Sequence, residues 1–358
     1  MKFCGTVSSG RTEWLSFLSS SIRVKSVDKK IIKNILKGLL FLVIFFVGFI
    51  ADRLLFVKDL PLESTKNERE INNNQQWSFI NPLLDCGDID NISNETINNT
   101  KQNIINFLDE EKVQGITKVS VYFRDLNNGP WFGINEKEEF NPGSLLKVPM
   151  MMRIFKDADN DPSILQQKIL VKGQTDQLIQ YYKPDFDLEL DKSYTVADLV
   201  SYMILYSNND ATKVIEQFIG KDLLYKTYEE LGVKIPVDGN YSISARNYGS
   251  FFRVLFNSTY LDTDYSEQAL GLLSQTTFTK GLRAGVPLSI KIAHKFGERK
   301  VNSVTKQLHD CGVVYYPKRP YLLCVMTRGD DYDQLASLIA QVSNIVYNAV
   351  DKENQPTF

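Results

Sequence analysis

Histidine is nearly absent from this chain, with His294 and His309 the only two in 358 residues. Cysteine is scarce as well. Cys4, Cys86, Cys311 and Cys324 are scattered, and neither residue type shows the spacing of a metal centre, so no metal or other cofactor is expected. An excess of charge of one sign is also missing. The formal net charge is −2, with both signs spread along the chain, which excludes a basic nucleic-acid-binding domain. There is no internal repeat of fixed period and no G-x-S-x-G elbow, which speaks against a solenoid and a hydrolase built on that turn. What is present is 43% apolar and 11% aromatic residues, enough to bury a sizeable core.

Long uncharged apolar runs are missing except in one place, Gly38 to Ala51. Arg23, Lys25, Lys29, Lys30, Lys33 and Lys37 precede it. Counted outward to Ile35 and Val57, the span is long enough to cross a bilayer, although Lys37, Asp52 and Arg53 interrupt it, and the basic flank puts the N-terminus inside. The sequence therefore predicts a cytoplasmic tail over 1–37, a transmembrane anchor over 38–57, a polar linker over 58–97 and an extracytoplasmic domain over 98–358. A cleaved signal peptide is the rival reading. Against it stand the long preceding segment and Phe49, which would occupy position −3 if Ala51 ended the signal.

Within the domain, a helix is predicted from near Thr96 to before Gly115. Strands follow over Lys118–Arg124 and Trp131–Asn135 around the Asn127–Gly129 turn. Helical periodicity then dominates, over Leu145–Asp157, Val196–Tyr206, Ala211–Phe218, Asp222–Leu231 and Ala245–Phe256. Strands return at Leu288–Lys295, Gly312–Tyr316 and Tyr321–Thr327, before a closing helix over Asp333–Val350. This order predicts an α+β fold with two lobes, in which an all-helical lobe is inserted into an antiparallel sheet with flanking helices. A hairpin around Pro317–Pro320 would place Cys311 nearly opposite Cys324, as a cross-strand disulfide or as two buried thiols.

Three short patterns carry chemistry. Ser144 and Lys147, in NPGSLLKVPMMM, fall at a helix start behind the breaker Asn141–Pro142–Gly143. Residues three apart share a helix face, so a desolvated Lys147 amine can take the Ser144 hydroxyl proton. The same spacing also occurs at Ser26–Lys29 and Ser303–Lys306, so the pair alone is weak. Ser207–Asn208–Asn209 lies in a loop between helices, where an ordinary cap would use the same residues. Lys295–Phe296–Gly297 lies on a strand, with Gly297 open to close approach.

An S-x-x-K at a helix start, an S-x-N in a helical block and a K-x-G on a later strand, in this order, form a known catalytic set. On these residues the chain resembles the penicillin-recognising serine acyltransferases, and among them the class A β-lactamases, over residues 98 to 352. The resemblance implies a β-lactamase/transpeptidase-like fold and a role for each residue. Ser144 is the nucleophile and Lys147 its base. Ser207 relays a proton to the leaving nitrogen, assisted by Lys295. Asn209 holds the substrate amide. Tyr182, in Tyr182–Lys183–Pro184, forms a wall of the site, and Gly297 and Glu298 lie along the substrate strand. The backbone N–H groups of Ser144 and Glu298 form the oxyanion hole.

Three departures accompany the resemblance. Asn208 stands where the family has Asp. Phe296 and Glu298 occupy positions where the family uses hydroxyls to bind a substrate carboxylate. The loop glutamate that activates the deacylating water in class A enzymes has no counterpart, since no Glu lies between Glu230 and Glu267 and Asp238 is the one carboxylate before the next helix. The leading reading is therefore a membrane-anchored, exported β-lactamase-like hydrolase working through a Ser144 acyl-enzyme. The alternatives are a D-Ala-D-Ala carboxypeptidase or transpeptidase with slow deacylation, and a non-enzymatic relative that binds β-lactam or peptidoglycan stem peptide. A Ser-His-Asp site using His309 and Asp310 is a further, weaker alternative.

Overall fold

A computed structural model describes Lys37 and residues 77–82, 92–110, 115–127, 129–172, 180–183, 186–231 and 242–354. Residues 76–358 form one compact unit, to which the elements named here belong. The anchor expected over 38–57, Asn128, Pro184 and Asp238 lie outside the described residues. Among the described residues, no helix is long and apolar enough to cross a membrane.

Helix α1 (Asn94–Glu110) leads into strands β1 (Ile116–Asp125) and β2 (Trp131–Ile134). The sheet is completed by β7 (Ile292–Lys300), β8 (Lys306–Val314) and β9 (Tyr321–Gly329), and the described chain closes with α8 (Tyr332–Asn354). The five strands lie in the order β2-β1-β9-β8-β7, each antiparallel to its neighbour. Alternation along β1 and β9 splits the interior in two, because successive side chains face opposite sides of a sheet. Val121, Phe123, Leu323 and Val325 pack with Ile104 of α1 and with Ile339 and Val342 of α8. Tyr122, Leu322, Cys324 and Met326 face the other core.

Between β2 and β7 the chain builds the helical lobe. It comprises β3 (Glu139–Phe140), α2 (Lys147–Asn160), a small ladder of β4 (Lys168–Val171) and β5 (Lys192–Thr195), α3 (Val196–Leu205), α4 (Asn209–Ile219), α5 (Lys221–Glu230), β6 (Ile243–Ser244), α6 (Ala245–Phe256) and α7 (Thr263–Leu273). Met151, Phe155, Leu199, Met203, Ile215 and Leu270 are buried there in one apolar cluster. The lobe's helices are locally well specified. Thr195 and Asp198 form a capping box for α3, and Ser244 caps α6.

Two predicted strands are displaced. The one expected over Leu288–Lys295 begins instead at Ile292, since Pro287 opens a turn that the Ile290 N–H closes, leaving Leu288 93% exposed. The one expected over Gly312–Tyr316 runs from Lys306 to Val314. Nearly all of it is buried, His309 and Asp310 included, so it has no polar alternation to read. Cys311 and Cys324 are register partners on β8 and β9 and are joined as a disulfide.

Candidate active site

Ser144 lies in a single 3-10 turn, Gly143–Leu146, that runs directly into α2. In such a turn residues three apart eclipse, so the Ser144 and Lys147 side chains share a face. Pro149 sits in the first turn of α2, where its missing N–H costs little.

The turn is held in place from strand β8. The Asn141 N–H donates to Gln307 Oε1 at 2.9 Å, and His309 Nε2 donates to the Asn141 carbonyl at 3.0 Å. His309 Nδ1 accepts from the Thr327 N–H at 3.2 Å, which fixes the proton on Nε2. Burial pushes the imidazole down to about 4, so it is neutral. His309 is therefore a backbone brace. Asp310 pairs with His294 Nδ1 at 2.9 Å and accepts from the Leu282 N–H, so the Ser-His-Asp reading is overturned.

Two glycines bring this turn against β7, the edge strand. A Cβ on Gly297 would lie 2.4 Å from the Pro142 carbonyl oxygen and 2.8 Å from the Leu145 nitrogen. Gly143 has φ +53°, and a Cβ there would lie 2.4 Å from the Glu298 carbonyl oxygen. The close approach sets the Ser144 peptide beside the Glu298 peptide.

The Lys147 ammonium group is buried and faces the second pattern. Nζ lies 2.5 Å from the Ser207 carbonyl oxygen, 3.1 Å from Ser207 Oγ and 2.9 Å from Asn209 Oδ1. Burial, and then the charge of Lys295, hold its pKa well below the ordinary lysine value. A neutral amine has two N–H donors and one lone pair. The three oxygens around Nζ match the three donors of the charged form, with Nζ donating to Ser207 Oγ as well as to the carbonyl and the amide oxygen. Lys147 makes no hydrogen bond to Ser144 among the described residues; its one hydroxyl partner is Ser207.

Ser207 is fully buried and has φ +55°, a left-handed conformation uncommon for a residue with a Cβ. Its carbonyl also accepts from Gln180 Nε2 at 3.1 Å, a contact with no signal in the sequence. Asn208 does what an ordinary cap does: its Oδ1 accepts from the Ala211 N–H at the start of α4, while its Nδ2 donates to Asp187. Asn209 is the first residue of α4 and points its Oδ1 at Lys147.

On β7, Lys295 is fully buried and pushed down to about 7 by that burial, against the raising influence of Asp310 and Glu298. Its Nζ donates to the Phe296 carbonyl at 3.2 Å and lies 4.2 Å from the centre of the Phe296 ring. It makes no hydrogen bond to Ser207 among the described residues. Phe296 stacks on Phe278 at 4.1 Å between ring centroids and meets Tyr182 edge-on. Tyr182 is half-buried, and its hydroxyl donates to the Tyr332 carbonyl. The Glu298 carboxylate accepts from the Tyr181 and Tyr182 N–H groups, at 2.8 and 3.3 Å.

The five-stranded antiparallel sheet and its inserted helical lobe define a class A β-lactamase-like α+β fold. Residues 99–350 match the β-lactamase enzyme family; the chain belongs to that family, and its enzyme class is serine hydrolase. Among solved structures, it is similar to a point mutant of PBP-A captured as an acyl-enzyme complex with penicillin G (23% identity, TM-score 0.60, 72% of this chain and 97% of that one). It is also similar to a class A β-lactamase from Mycobacterium abscessus (20%, 0.61, 70% and 99%) and to the TLA-1 extended-spectrum β-lactamase (18%, 0.62, 71% and 99%). Comparison with curated proteins finds no match.

Proposed function

We propose that this chain is a membrane-anchored, exported β-lactamase-like hydrolase that forms an acyl-enzyme on Ser144. The observation that carries the reading is the buried Lys147 amine, lowered in pKa and held by Ser207 and Asn209 one turn from Ser144. Ser144 Oγ attacks the carbonyl carbon of a β-lactam or stem-peptide amide, and its proton passes to the Lys147 lone pair. The C–N bond breaks as Ser207 gives its proton to the leaving nitrogen, and the Lys147 ammonium restores that proton to Ser207. The Ser144 and Glu298 N–H groups stabilise the oxyanion, Lys295 supplies positive potential nearby, and Tyr182 and Asn209 flank the substrate. Hydrolysis of the Ser144 ester by water completes the cycle.

Export is supported by the basic flank ahead of the Gly38–Ala51 run and by the Cys311–Cys324 disulfide, a bond that persists in oxidising compartments. A second reading, a carboxypeptidase or transpeptidase with a long-lived acyl-enzyme, is favoured by the lack of any Glu between Glu230 and Glu267. Time-resolved intact-mass measurement with penicillin separates the two. An adduct that rises and decays as penicilloate accumulates supports the hydrolase, whereas a stoichiometric adduct that persists supports the second reading. Absence of any adduct over hours contradicts both.

A further inference from the structure

The family-type site receives an anionic substrate group beside its third motif, and here that side of the site is built differently. Glu298 puts a half-buried carboxylate on the outer strand, next to the turn that carries Ser144. Its two oxygens are held by the Tyr181 and Tyr182 N–H groups, so the charge is fixed in position and not free to swing away. Three lysines on this side of the site already have partners. Lys295 is capped by the Phe296 carbonyl and ring, Lys147 by Ser207 and Asn209, and Lys280 by Asp333 at 2.7 Å. Asp333, the partner of Lys280, also accepts from the Tyr181 and Tyr182 hydroxyls and so holds both rings in the wall of the site. Phe296 and Tyr182 complete that wall with aromatic surface.

A ligand carboxylate lying along β7 therefore meets a like charge in a partly desolvated place, and repulsion of that kind sets specificity as firmly as attraction does. We propose that Glu298 is a specificity-determining residue that turns the site against acyl donors with a carboxylate beside the scissile amide. The substrate class that fits is an uncharged one: an internal or amidated peptide bond, or a cyclic amide with no adjacent carboxylate. Burial raises the Glu298 pKa, and the Tyr182 and Tyr181 N–H groups, then Lys147 and Lys295, offset part of that rise. The proposal rests on acylation of Ser144.

The test compares acylation by penicillin G with acylation by its methyl ester, which removes the carboxylate charge and keeps the reacting ring. Adduct formation is followed by intact mass in the native chain, in Glu298→Gln and in Glu298→Ser. The ratio of ester to free-acid rate is the readout. It is expected to exceed about tenfold in the native chain and to fall by about tenfold in both variants, since a like-charge contact costs at least that much. The Ser variant guards against a Gln side chain that fails to pack. An equal ratio in all three proteins, with adducts forming normally, overturns the role of Glu298 and leaves the acylation reading standing. No adduct from either compound in any of the three overturns the acylation reading, and this proposal with it.

Discussion

Lys147 Nζ lies 3.1 Å from Ser207 Oγ, while its other two hydrogen bonds go to oxygens that can only accept. Burial and the charge of Lys295 lower the Lys147 pKa, which brings the uncharged, proton-accepting form within easier reach than in an exposed lysine. A structural lysine at a helix start would instead hold its charge in water. Replacement by methionine keeps the volume and removes the base. Lys147→Met is expected to slow acylation by at least about 100-fold, the usual contribution of a positioned base, while the melting temperature stays level or rises. Stopped-flow or mass-based acylation rates with a parallel thermal melt check this. A rate within a few-fold of native would contradict it.

The pH dependence of acylation follows from the two buried lysines. Burial, and then the charge of Lys295, lower the Lys147 pKa well below the ordinary lysine value, so the amine is free to accept a proton at a lower pH than an exposed lysine. Acylation should fall as the pH drops. Lys295, lowered to about 7, carries charge below that point and loses it above. Since its role requires the charge, a second limb should appear near pH 7 on the alkaline side and vanish in Lys295→Ala, together with much of the rate. A profile in which the limb near 7 survives that substitution assigns it to another group.

His309 makes a separate prediction about stability. Its folded pKa is about 4, against an ordinary value of 6.5, because burial disfavours the charged ring. The unfolded chain therefore binds the proton first. The stabilising contribution is complete above about pH 6.5 and is lost as the pH falls to about 4, by up to about 3 kcal/mol. Chemical denaturation of the native protein and His309→Gln at pH 7, 5.5 and 4 should show a smaller acid loss in the variant. Parallel losses would mean that other groups set the acid sensitivity.

Gly297 has no room for a methyl group, because a Cβ would press on Pro142 and Leu145 backbone atoms on both flanks of Ser144. Gly297→Ala must push the Gly143–Leu146 turn off the edge strand. We expect a loss of about 1–3 kcal/mol in stability, as for overpacking elsewhere, and a larger proportional loss in acylation rate. Equal stability with native acylation would show that the turn yields easily.

Much of this fold is legible in the sequence because its helices are locally coherent. The Ala245–Phe256 helix falls at its predicted bounds, with Ser244 as the cap just ahead of it. Strands β1 and β2 alternate and flank a clear turn, so they are readable too. β8 is misplaced because a strand buried on both faces carries no period, and its buried His309 and Asp310 look like interruptions. Helix α7 and the short β4–β5 ladder have no distinct pattern. Within the site, Ser144, Lys147, Ser207 and Asn209 are recognisable only as a set, since a capping serine and a catalytic one look alike in sequence. Asn208 is in fact a cap. The brace from Gln307 and His309 to Asn141, and the reach of Glu298 to Tyr181, depend on contacts between residues more than a hundred positions apart, which no local pattern records.

In the proposed reaction Ser144 acquires an acyl group with Lys147 as its base. Peptide mapping after brief exposure to a β-lactam, done in parallel on the native chain, Ser144→Ala and Lys147→Met, tests it most directly. The expected result is one modified peptide bearing the mass on Ser144 in the native chain, none in Ser144→Ala and a trace in Lys147→Met. An adduct on another residue, or the same yield in all three proteins, would contradict it.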